Sequence, residues 1–364
     1  MRIAIAGGGL GGLTLARILH RHGIEAVVYE REPSRAARGQ GGLLDLHPES
    51  GQRALAEAGL TERFRSAVRP EGEEHRILAP DGRVLVHHRP PPGSFDGRPE
   101  IDRGVLRDLL LDALPEDAVR WRHRLVGAAP RPAGGFALSF ADGRDAGCDV
   151  LIGADGARSA VRSLLTDAPV SAVGTLVELT IADADRRHPD LADLVGPGSL
   201  WCVGECRILA AQRQGDDTIR VGITLPAVEH DLDTYRSKDA VLKVFDGWSP
   251  RLTALIEAGD RPPIPRRIEQ LPIGTRWAHH PGLTLIGDAA HLMPPVGEGA
   301  NQAMLDAAVL GAALAADPGS ALQAYEKEMF ARIHPIAEMS ARVQAMMLAP
   351  TAADDLVRFF GGGA

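Results

Sequence analysis

The chain has 364 residues and a formal net charge of −8, with 45% hydrophobic and 24% charged residues. This is the composition of a globular protein, and the length exceeds what one hydrophobic core usually supports, so we expect two packed lobes. An acidic chain lacks the basic face that phosphate backbones require, which excludes sequence-independent binding of nucleic acid.

The apolar stretch at the N-terminus, Ile3–Ala6, is interrupted by glycines before it reaches the length of a signal-peptide core or a membrane span. We therefore expect a cytoplasmic protein that does not enter a membrane. Cys148, Cys202 and Cys206 are odd in number and form no CxxC pair. They predict free thiols packed as small apolar residues.

The N-terminal segment predicts a strand at Ile3–Ala6, a glycine turn, a helix over residues 13–22 and a second strand over residues 24–29. The turn begins at Gly7 and fits GxGxxG, in which the glycines permit a tight turn, backbone approach to a pyrophosphate and close helix packing. Glu30 ends the second strand, where an acid accepts hydrogen bonds from a ribose. The pattern indicates a dinucleotide-binding unit but does not distinguish FAD from NAD.

Two later apolar strands, at residues 150–152 and 283–286, are predicted to join the same sheet. Between them, alternating patterns at residues 76–87 and 173–225 predict a mostly antiparallel second lobe. A helix is expected over residues 238–258. A long C-terminal helix is expected over residues 321–348, kinked or broken at the internal Pro335.

The segments 148–162 and 287–295 identify the family. The first contains Asp155-Gly156 after a strand and the second begins Gly287-Asp288. With the N-terminal fingerprint, both resemble in order and spacing the signature segments of class A flavoprotein monooxygenases, the para-hydroxybenzoate hydroxylase family. The resemblance spans nearly the whole chain. It implies an α/β fold with an interrupted Rossmann-like FAD lobe, an antiparallel substrate lobe and a long C-terminal helix.

The resemblance also implies roles for individual residues. Asp288 would bond a ribityl hydroxyl, and the turn from Pro294 to Asn301 would bring backbone N–H groups to the flavin. Asp155 would serve the pyrophosphate or the nicotinamide cofactor, with a structural turn as the alternative. Arg103 would touch the FAD phosphate or ribityl region, unless it is a solvated helix-start residue. The predicted cofactor-binding residues are Gly7, Gly9, Gly11, Gly12, Glu30, Arg31, Arg103, Asp155, Gly287, Asp288, Pro295, Gly297, Gly299, Ala300 and Asn301.

Within the family the chain is most similar to the flavin-dependent tetracycline-inactivating monooxygenases, through segments such as 41–47 and 287–295 and a single C-terminal helix. That subgroup's substrate contacts correspond to Leu179, Arg207 and Arg220, and only Arg207 keeps its residue type. Each arginine has solvation on a strand as its alternative. We therefore expect a fused-ring, polyketide-like phenol, with tetracycline a weak substrate.

Other residues complete the expected site. Arg31, Arg35 and Arg38 follow Glu30 and are candidates for phosphate contacts, with solvation as the alternative. His291 is interpreted as structural. The sequence contains no HExxH or GxSxG pattern, so hydrolase chemistry has no support, no metal is expected and no catalytic side chain is assigned.

The expected domains are an FAD-binding domain at residues 1–72, 96–168 and 268–318, a substrate domain at 73–95 and 169–267, and a C-terminal helix and tail at 319–364. The resemblance implies FAD, with NADPH or NADH as the reductant, and hydroxylation of an aromatic small molecule with O2 through a flavin C4a-hydroperoxide. A monomer is expected, although the sequence does not fix the oligomeric state. A flavin reductase or dehydrogenase without oxygen insertion and a non-catalytic, ligand-sequestering flavoprotein are the alternatives.

Overall fold

The computed structural model describes residues 1–37, 39, 41–91, 97–227 and 232–361. The strands there are β1 (Ile3–Ala6), β2 (Ala26–Tyr29), β3 (Leu43–Asp45), β4 (His75–Leu78), β5 (Val84–His88), β6 (Glu100–Asp102), β7 (Val119–Arg120), β8 (Leu125–Pro130), β9 (Phe136–Phe140), β10 (Asp145–Cys148), β11 (Val150–Gly153), β12 (Ser171–Ile181), β13 (Ser199–Gly204), β14 (Arg207–Arg213), β15 (Ile219–Leu225), β16 (Ile264–Gln270) and β17 (Leu283–Leu285).

The α-helices in the same residues are α1 (Leu10–Arg21), α2 (Arg53–Glu57), α3 (Thr61–Arg65), α4 (Arg103–Asp112), α5 (Ala184–Arg187), α6 (Pro189–Val195), α7 (Lys238–Val244), α8 (Pro250–Glu257), α9 (Asp288–His291), α10 (Glu298–Ala316), α11 (Ala321–Met347) and α12 (Ala352–Gly361). Short 3-10 or π turns lie at Pro48–Gln52, Pro70–Glu73, Arg162–Leu164 and Leu232–Arg236.

The first lobe is built on a parallel sheet in the order β17-β11-β1-β2-β7. Every residue of β1 and β11 is buried, as expected for strands covered on both faces. The predicted return of segments 150–152 and 283–286 to this sheet is confirmed, since β11 and β17 pair beside β1.

Helices α1 and α10 pack side by side through small residues. A Cβ on Gly11 would lie 2.9 Å from the backbone oxygen of Ala303, and one on Gly311 would lie 2.6 Å from the side chain of Ile18. Because residue 11 meets residue 303 and residue 18 meets residue 311, the two helices run in the same direction. Their N-termini, which carry partial positive charge, therefore lie at the same end of the lobe.

The second lobe is a sheet in the order β16-β12-β15-β14-β13-β4-β5, antiparallel except where β13 pairs with β4. Residues of one face, such as Val177, Leu209 and Ile223, enter a core closed by α6, α7 and α8. The opposite face looks toward the first lobe. The predicted antiparallel lobe is confirmed, and its hairpin around Asp81 joins β4 to β5.

Two small sheets were not predicted. Strands β8, β9 and β10 form a three-stranded antiparallel meander, and β3 pairs with β6. The β3–β6 pair lies at the junction of the lobes, because Gly42, which directly precedes β3, donates its N–H to Gln214 of the second lobe at 2.8 Å.

The C-terminal region corrects two expectations. Pro335 does not break α11, whose hydrogen-bonded turns continue on both sides of the proline. After Leu348 a second helix, α12, packs Ala352 and Leu356 against the second sheet, so the C-terminus is not a single helix. The segment predicted as one helix over residues 238–258 forms two, because Pro250 begins α8.

The mixed α/β class with a parallel sheet, separate antiparallel sheets and a long C-terminal helix is confirmed. In the part of the chain that the structure describes, no helix is both long and apolar enough to cross a membrane. Cys148, Cys202 and Cys206 are free thiols, as predicted.

Candidate active site

The glycine turn between β1 and α1 has the geometry that a pyrophosphate loop requires. A Cβ on Gly7, whose φ is +110°, would lie 2.2 Å from the oxygen of Ala154, and one on Gly12 would lie 2.1 Å from the oxygen of Gly7. Gly9 instead faces open space, with nothing within 4 Å of its Cβ position. The turn is therefore packed on its inner side and open at the helix N-terminus, where an anion binds.

Glu30 lies beside this turn at the end of β2. Its buried carboxylate accepts the N–H of Gly8 at 2.7 Å and that of Glu32 at 2.9 Å. Each oxygen keeps a lone pair for a ribose hydroxyl. Arg31 is exposed next to it. Arg35 pairs with two carboxylates of α4, Asp108 at 2.6 Å and Asp112 at 2.5 Å, and Arg38 lies outside the described residues.

Arg103 and Arg107 differ in their surroundings, although they are one helical turn apart in α4. Arg103 is exposed, and its N–H donates to the oxygen of Gly42 at 2.9 Å. Arg107 is buried under the loop after β2, where it donates to the oxygen of Arg35 at 3.0 Å and lies over the ring of Trp121. Of these two arginines, only Arg103 has an exposed side chain, and it lies near Gly42.

The carboxylate of Asp155 is occupied by its own segment. It accepts the hydroxyl of Ser159 at 2.5 Å and the backbone N–H groups of Ala160 and Val161 at 2.8 and 3.3 Å. Burial raises the pKa of this carboxyl, and those hydrogen bonds oppose the rise. The structural-turn alternative for Asp155 therefore has direct support in the geometry.

The two signature segments are joined by Arg162. Its guanidinium is buried and donates to the backbone oxygens of Asp288 at 3.2 Å and Ala289 at 3.1 Å. The Asp288 side chain is itself exposed, and the Cβ position of Gly299 lies 3.8 Å from its Oδ1. A carboxylate acceptor thus stands next to the turn that precedes α10.

The turn from Pro294 to Asn301, which is the predicted flavin turn, is exposed at Pro295 and Gly297. Gly299 and Ala300 are partly buried in the first turn of α10. Asn301 is buried beneath it. Its Nδ2 donates to the backbone oxygen of Asp45 at 2.8 Å and to that of Gly297 at 3.2 Å. These hydrogen bonds hold the turn against β3. Pro295 and Gly297 remain exposed next to the N-terminus of α10.

His47, two residues after Asp45, has a buried imidazole that is surrounded by acidic side chains. Its Nε2 lies 2.9 Å from Asp45, and its Nδ1 lies 3.7 Å from Glu298 and 3.9 Å from Glu49. The hydrogen bond to Asp45 raises the pKa of His47, and burial opposes it. The sequence interpretation noted this segment only as a resemblance.

The inward face of the second sheet carries the candidate substrate contacts. Arg220 donates to Glu178 at 2.7 Å, and Arg266 lies 2.8 Å from the other oxygen of the same carboxylate. A Cβ on Gly41 would lie 1.9 Å from Nη1 of Arg220, so the guanidinium lies directly on the glycine turn before β3. Gln212, opposite Arg220 in the sheet, accepts the N–H of Leu43 at 3.4 Å.

Two predicted substrate contacts are corrected. Leu179 is buried in the core behind the sheet, where it contacts Gly259, because neighbouring strand residues point to opposite faces and Glu178 takes the inward position. Arg207 shares the outward side of β14 with Leu209 and lies 2.8 Å from Glu205. Of the three predicted residues, only Arg220 reaches the junction of the lobes.

An acidic cluster lines the same junction. Glu100 pairs with Asp45 across β3 and β6. Burial raises the pKa of Glu100 to about 8, with further contributions from the charges of Asp45, Glu73 and Asp102. Its buried Oε2 has no hydrogen-bond partner among the residues that the structure describes. A carboxyl group with this raised pKa favours its neutral, protonated form at neutral pH.

Comparison with known families identifies the family to which the chain belongs. Residues 1–215 and 266–339 match the family described as "FAD binding domain". The chain belongs to this FAD-binding family. The predicted class A flavoprotein monooxygenase family is confirmed, and the chain is an FAD-dependent monooxygenase.

Named relatives support the same conclusion. The monooxygenase asqM of Emericella nidulans is 30% identical over 97% of both chains. The 3-amino-4-hydroxybenzoate 2-monooxygenase PtnB3 of Streptomyces platensis is 33% identical over 92% of this chain and 85% of its own.

Solved structures share the fold. HpxO of Klebsiella pneumoniae, solved with FAD and uric acid, has a TM-score of 0.81 at 24% identity and covers 100% of this chain and 95% of its own. The tetracycline destructase Tet(51) has a TM-score of 0.75 at 17% identity and covers 98% and 94%. At these identities the likeness shows the fold alone.

The residues of this FAD-binding protein fit the cofactor. The open Gly9 turn accommodates a pyrophosphate, exposed Asp288 offers a carboxylate acceptor, and the turn at Gly297 presents the N-terminus of α10. All lie where the parallel α1 and α10 begin. No group of His, Cys, Asp and Glu within the described ranges is arranged to hold a metal ion.

Sequence reasoning missed several residues of the candidate site and its surroundings, and two signals would have found them. Strand alternation from the buried Leu179 assigns Glu178 to the inward face. The charged residues within the apolar helices, Asp306 in α10 and Arg332 in α11, indicate a buried pair, because isolated charges are rarely buried.

Proposed function

We propose that this monooxygenase uses NADPH or NADH and O2 to hydroxylate a polycyclic, polyketide-like phenol that carries an acidic oxygen group next to the reacting ring. The proposal goes beyond the family assignment in the substrate, the reductant and the position of the acidic group.

The observation that carries the proposal is the side-chain pattern of the inward sheet face. Arg220 and Gln212 are paired across β14 and β15, and the next inward pair is Ala210 and Gly222. The first pair offers a guanidinium and an amide, whereas the second offers almost no side-chain volume. A flat ring system would meet little side-chain volume at the small pair, although Ala210 also packs against the cluster that contains α12. Its acidic oxygens would meet Arg220, whose two-pronged donor matches such groups.

The ion pair with Glu178 tunes this recognition. In the structure the carboxylate of Glu178 occupies Arg220 and Arg266 together, and its side chain is 20% exposed. An anionic substrate competes with Glu178 for Arg220, whereas a neutral one leaves the pair intact. Glu178 therefore limits binding to substrates whose own acidic group pairs well with the guanidinium.

Bound FAD would supply the activation of O2 at the expense of NADPH or NADH, so that one oxygen atom of O2 enters the ring and the other leaves as water. The protein positions the substrate and excludes water around it. Arg220 orients the acidic edge of the substrate, and the β3 segment from Leu43 to His47 forms the wall between the ring and the flavin turn. Protonated Glu100 offers a hydrogen-bond donor at the same junction.

The chain has one dinucleotide fingerprint, which is assigned to FAD. The nicotinamide cofactor is therefore proposed to bind at the protein surface and not in a second dinucleotide-binding domain. Arg31, exposed beside Glu30, and Arg38 are the proposed contacts for a nicotinamide-cofactor phosphate. Arg35 is a weaker candidate because Asp108 and Asp112 already hold it. Cytoplasmic location and a monomeric state stay predictions.

The test is oxygen uptake by the FAD-loaded protein with NADPH or NADH and a panel of ligands. The panel contains a hydroxyanthraquinone carboxylic acid, its methyl ester, 3-amino-4-hydroxybenzoate and tetracycline. We expect ligand-dependent uptake and a product heavier by one oxygen atom for the fused-ring acid, with less turnover of its ester and of tetracycline.

The outcomes separate the alternatives. Reduction of the ligand without oxygen uptake points to a reductase or dehydrogenase. Tight binding without turnover points to sequestration. Efficient hydroxylation of tetracycline with no turnover of the fused-ring phenols would overturn the proposed substrate class.

A further inference from the structure

A fully buried carboxylate, Asp306, lies behind the turn that carries Asp288. It belongs to the third turn of α10 and has 0% exposure. Its Oδ2 accepts the backbone N–H of Gly287 at 2.8 Å and lies 2.6 Å from Nε2 of His291. Its Oδ1 accepts Nη2 of Arg332 in α11 at 2.8 Å. One side chain thus contacts the start of α9, the end of α9 and the C-terminal helix.

The bond to Gly287 fixes the residue before Asp288. Gly287 has a φ of +60° and a ψ of −144°, a combination outside the regular helix and strand regions. Its peptide orientation sets the direction in which the Asp288 side chain leaves the backbone. Asp288 is exposed beside Gly299, and no described residue donates a hydrogen bond to its carboxylate or forms an ion pair with it. Its position depends on the inner side of the turn.

The network is charged. Burial would raise the pKa of Asp306, but electrostatic and hydrogen-bond contributions from His291 and Arg332 outweigh it and hold the pKa below its ordinary value. Arg332 is also bound by Glu328 at 2.8 Å and by Gln302 at 2.5 Å. Asp306 therefore remains ionised and accepts the Gly287 N–H as a charged group, which is a stronger acceptor than a neutral one.

We propose that Asp306 is a positioning residue for FAD, which holds the Gly287–Asp288 turn so that the Asp288 carboxylate meets the ribityl chain. Arg332 and His291 keep the Asp306 carboxylate ionised and oriented. The inference rests on the proposed role of Asp288 and not on the identity of the substrate. Through Arg332 the long helix α11 also supports the cofactor site, although α9 and α10 separate it in sequence from the Gly287–Asp288 turn.

The chain contains a matched carboxylate for comparison. Glu326, in α11, is also buried; it accepts hydrogen bonds from Trp277 at 3.1 Å and Thr284 at 2.8 Å and lies 2.8 Å from His279. It has the same number of partner groups as Asp306 but bonds no backbone N–H of the Gly287–Asp288 turn. A purely structural role for Asp306 predicts that the two carboxylates respond alike.

The test titrates FAD into the apo forms of the wild type, Asp306→Asn, Glu326→Gln and Asp288→Ala. Melting temperature is measured for each apo form, and visible circular dichroism for each FAD-loaded form. We expect Asp306→Asn to weaken FAD binding by about tenfold and to change the flavin dichroism, since a hydrogen bond to a charged group is lost. Glu326→Gln should lower the melting temperature but leave the FAD dissociation constant within about twofold of wild type.

Equal FAD affinity and dichroism in wild type and folded Asp306→Asn would overturn the proposal. If Asp306→Asn does not fold, Arg332→Lys decides, because the shorter donor loosens Asp306 while its charge remains. An unchanged dissociation constant and dichroism there would also overturn the proposal. Should Asp288→Ala leave FAD binding intact, the proposed role of Asp288 fails. If Asp288→Ala weakens FAD binding but Asp306→Asn changes neither the FAD dissociation constant nor the dichroism, only the positioning role of Asp306 fails.

Discussion

The side-chain oxygen of Asn301 accepts the backbone N–H of His47 at 3.0 Å, although 254 positions separate the two residues. The same oxygen accepts the N–H of Gly51 at 3.2 Å, and the amide nitrogen donates to the oxygen of Asp45. A Cβ on Gly51 would lie 2.5 Å from that oxygen, so only glycine permits the approach. One buried amide thereby joins the β3 segment to the flavin turn.

We predict that Asn301→Ala lowers the free energy of unfolding of the apo protein by about 1 to 3 kcal/mol, because it leaves buried backbone groups without partners. Urea denaturation measures the change. Gln323→Ala, at an exposed amide in α11, is the control and should have little effect. Equal stabilities of the two variants would show that the Asn301 contacts carry no net stabilisation.

The second prediction concerns Asp288. Asp288→Ala removes the proposed acceptor for a ribityl hydroxyl and should raise the FAD dissociation constant about ten- to a hundred-fold. Fluorescence titration of the apo protein with FAD provides the measurement. Asp246, exposed after α7 in the second lobe, supplies the control variant Asp246→Ala. A folded Asp288→Ala protein with wild-type affinity would remove Asp288 from the site.

The third prediction compares two arginines. Arg220→Gln should raise the KM for an aromatic acid by about tenfold or more and change that for its neutral methyl ester much less, because a charge-assisted contact is lost only with the acid. Arg207→Gln is the matched control, since Arg207 pairs with Glu205 on the outward side of its strand. If both variants give the same KM ratio of acid to ester as wild type, Arg220 does not read the acidic group.

A companion variant tests the competition at Arg220. Glu178→Gln should lower the KM for the acid, because the guanidinium no longer has an internal anion as its partner. Stopped-flow or equilibrium binding of the acid at low and high salt resolves the electrostatic part, which salt weakens. A higher KM for the acid would indicate that Glu178 orients Arg220 and does not compete with the substrate.

The fourth prediction follows from Glu100, whose pKa is raised from 4.5 to about 8. Between these values the unfolded chain releases the proton while the folded chain retains it, so the contribution of Glu100 to stability is lost as pH rises. Glu100→Gln should therefore gain stability relative to wild type from pH 5 to pH 8, on the order of 1 kcal/mol or more. Denaturation midpoints across this range provide the measurement.

Glu62→Gln serves as the control for that series, because its side chain is 84% exposed. Its stability should follow wild type at every pH. A Glu100→Gln curve parallel to wild type would mean that the Glu100 carboxyl titrates normally in the folded protein.

Much of the first lobe was predictable, because β1, its glycine turn and α1 are local and carry strong residue preferences. The return of β11 and β17 to the same sheet followed from two short apolar strands. The continuity of α11 through Pro335 was not predictable, since packing against α10 offsets the local cost of a proline. Helix propensity alone cannot report that contact.

The candidate site divided in the same way. Gly7, Gly9 and Asp288 lie in turns after β1 and β17, where the motifs predicted turns, because a motif encodes local backbone geometry; their contacts with FAD stay predictions. Leu179 was misassigned because an offset of one residue along a strand reverses the face, and position in a motif does not fix that offset. The carboxylate of Asp155 bonds its own turn, a local arrangement that the motif does not distinguish from a ligand contact.

The contact between Arg220 and Gly41 has a consequence for how this sequence can diverge. A side chain at position 41 would displace the guanidinium from its place on the turn, so a change there alters the position of Arg220 in β15. Gln212 and Gln214 make the same coupling to Leu43 and Gly42. Substitutions in the substrate sheet and in the loop before β3 are therefore epistatic, and variants with new specificity are best sought by randomising both segments in one library.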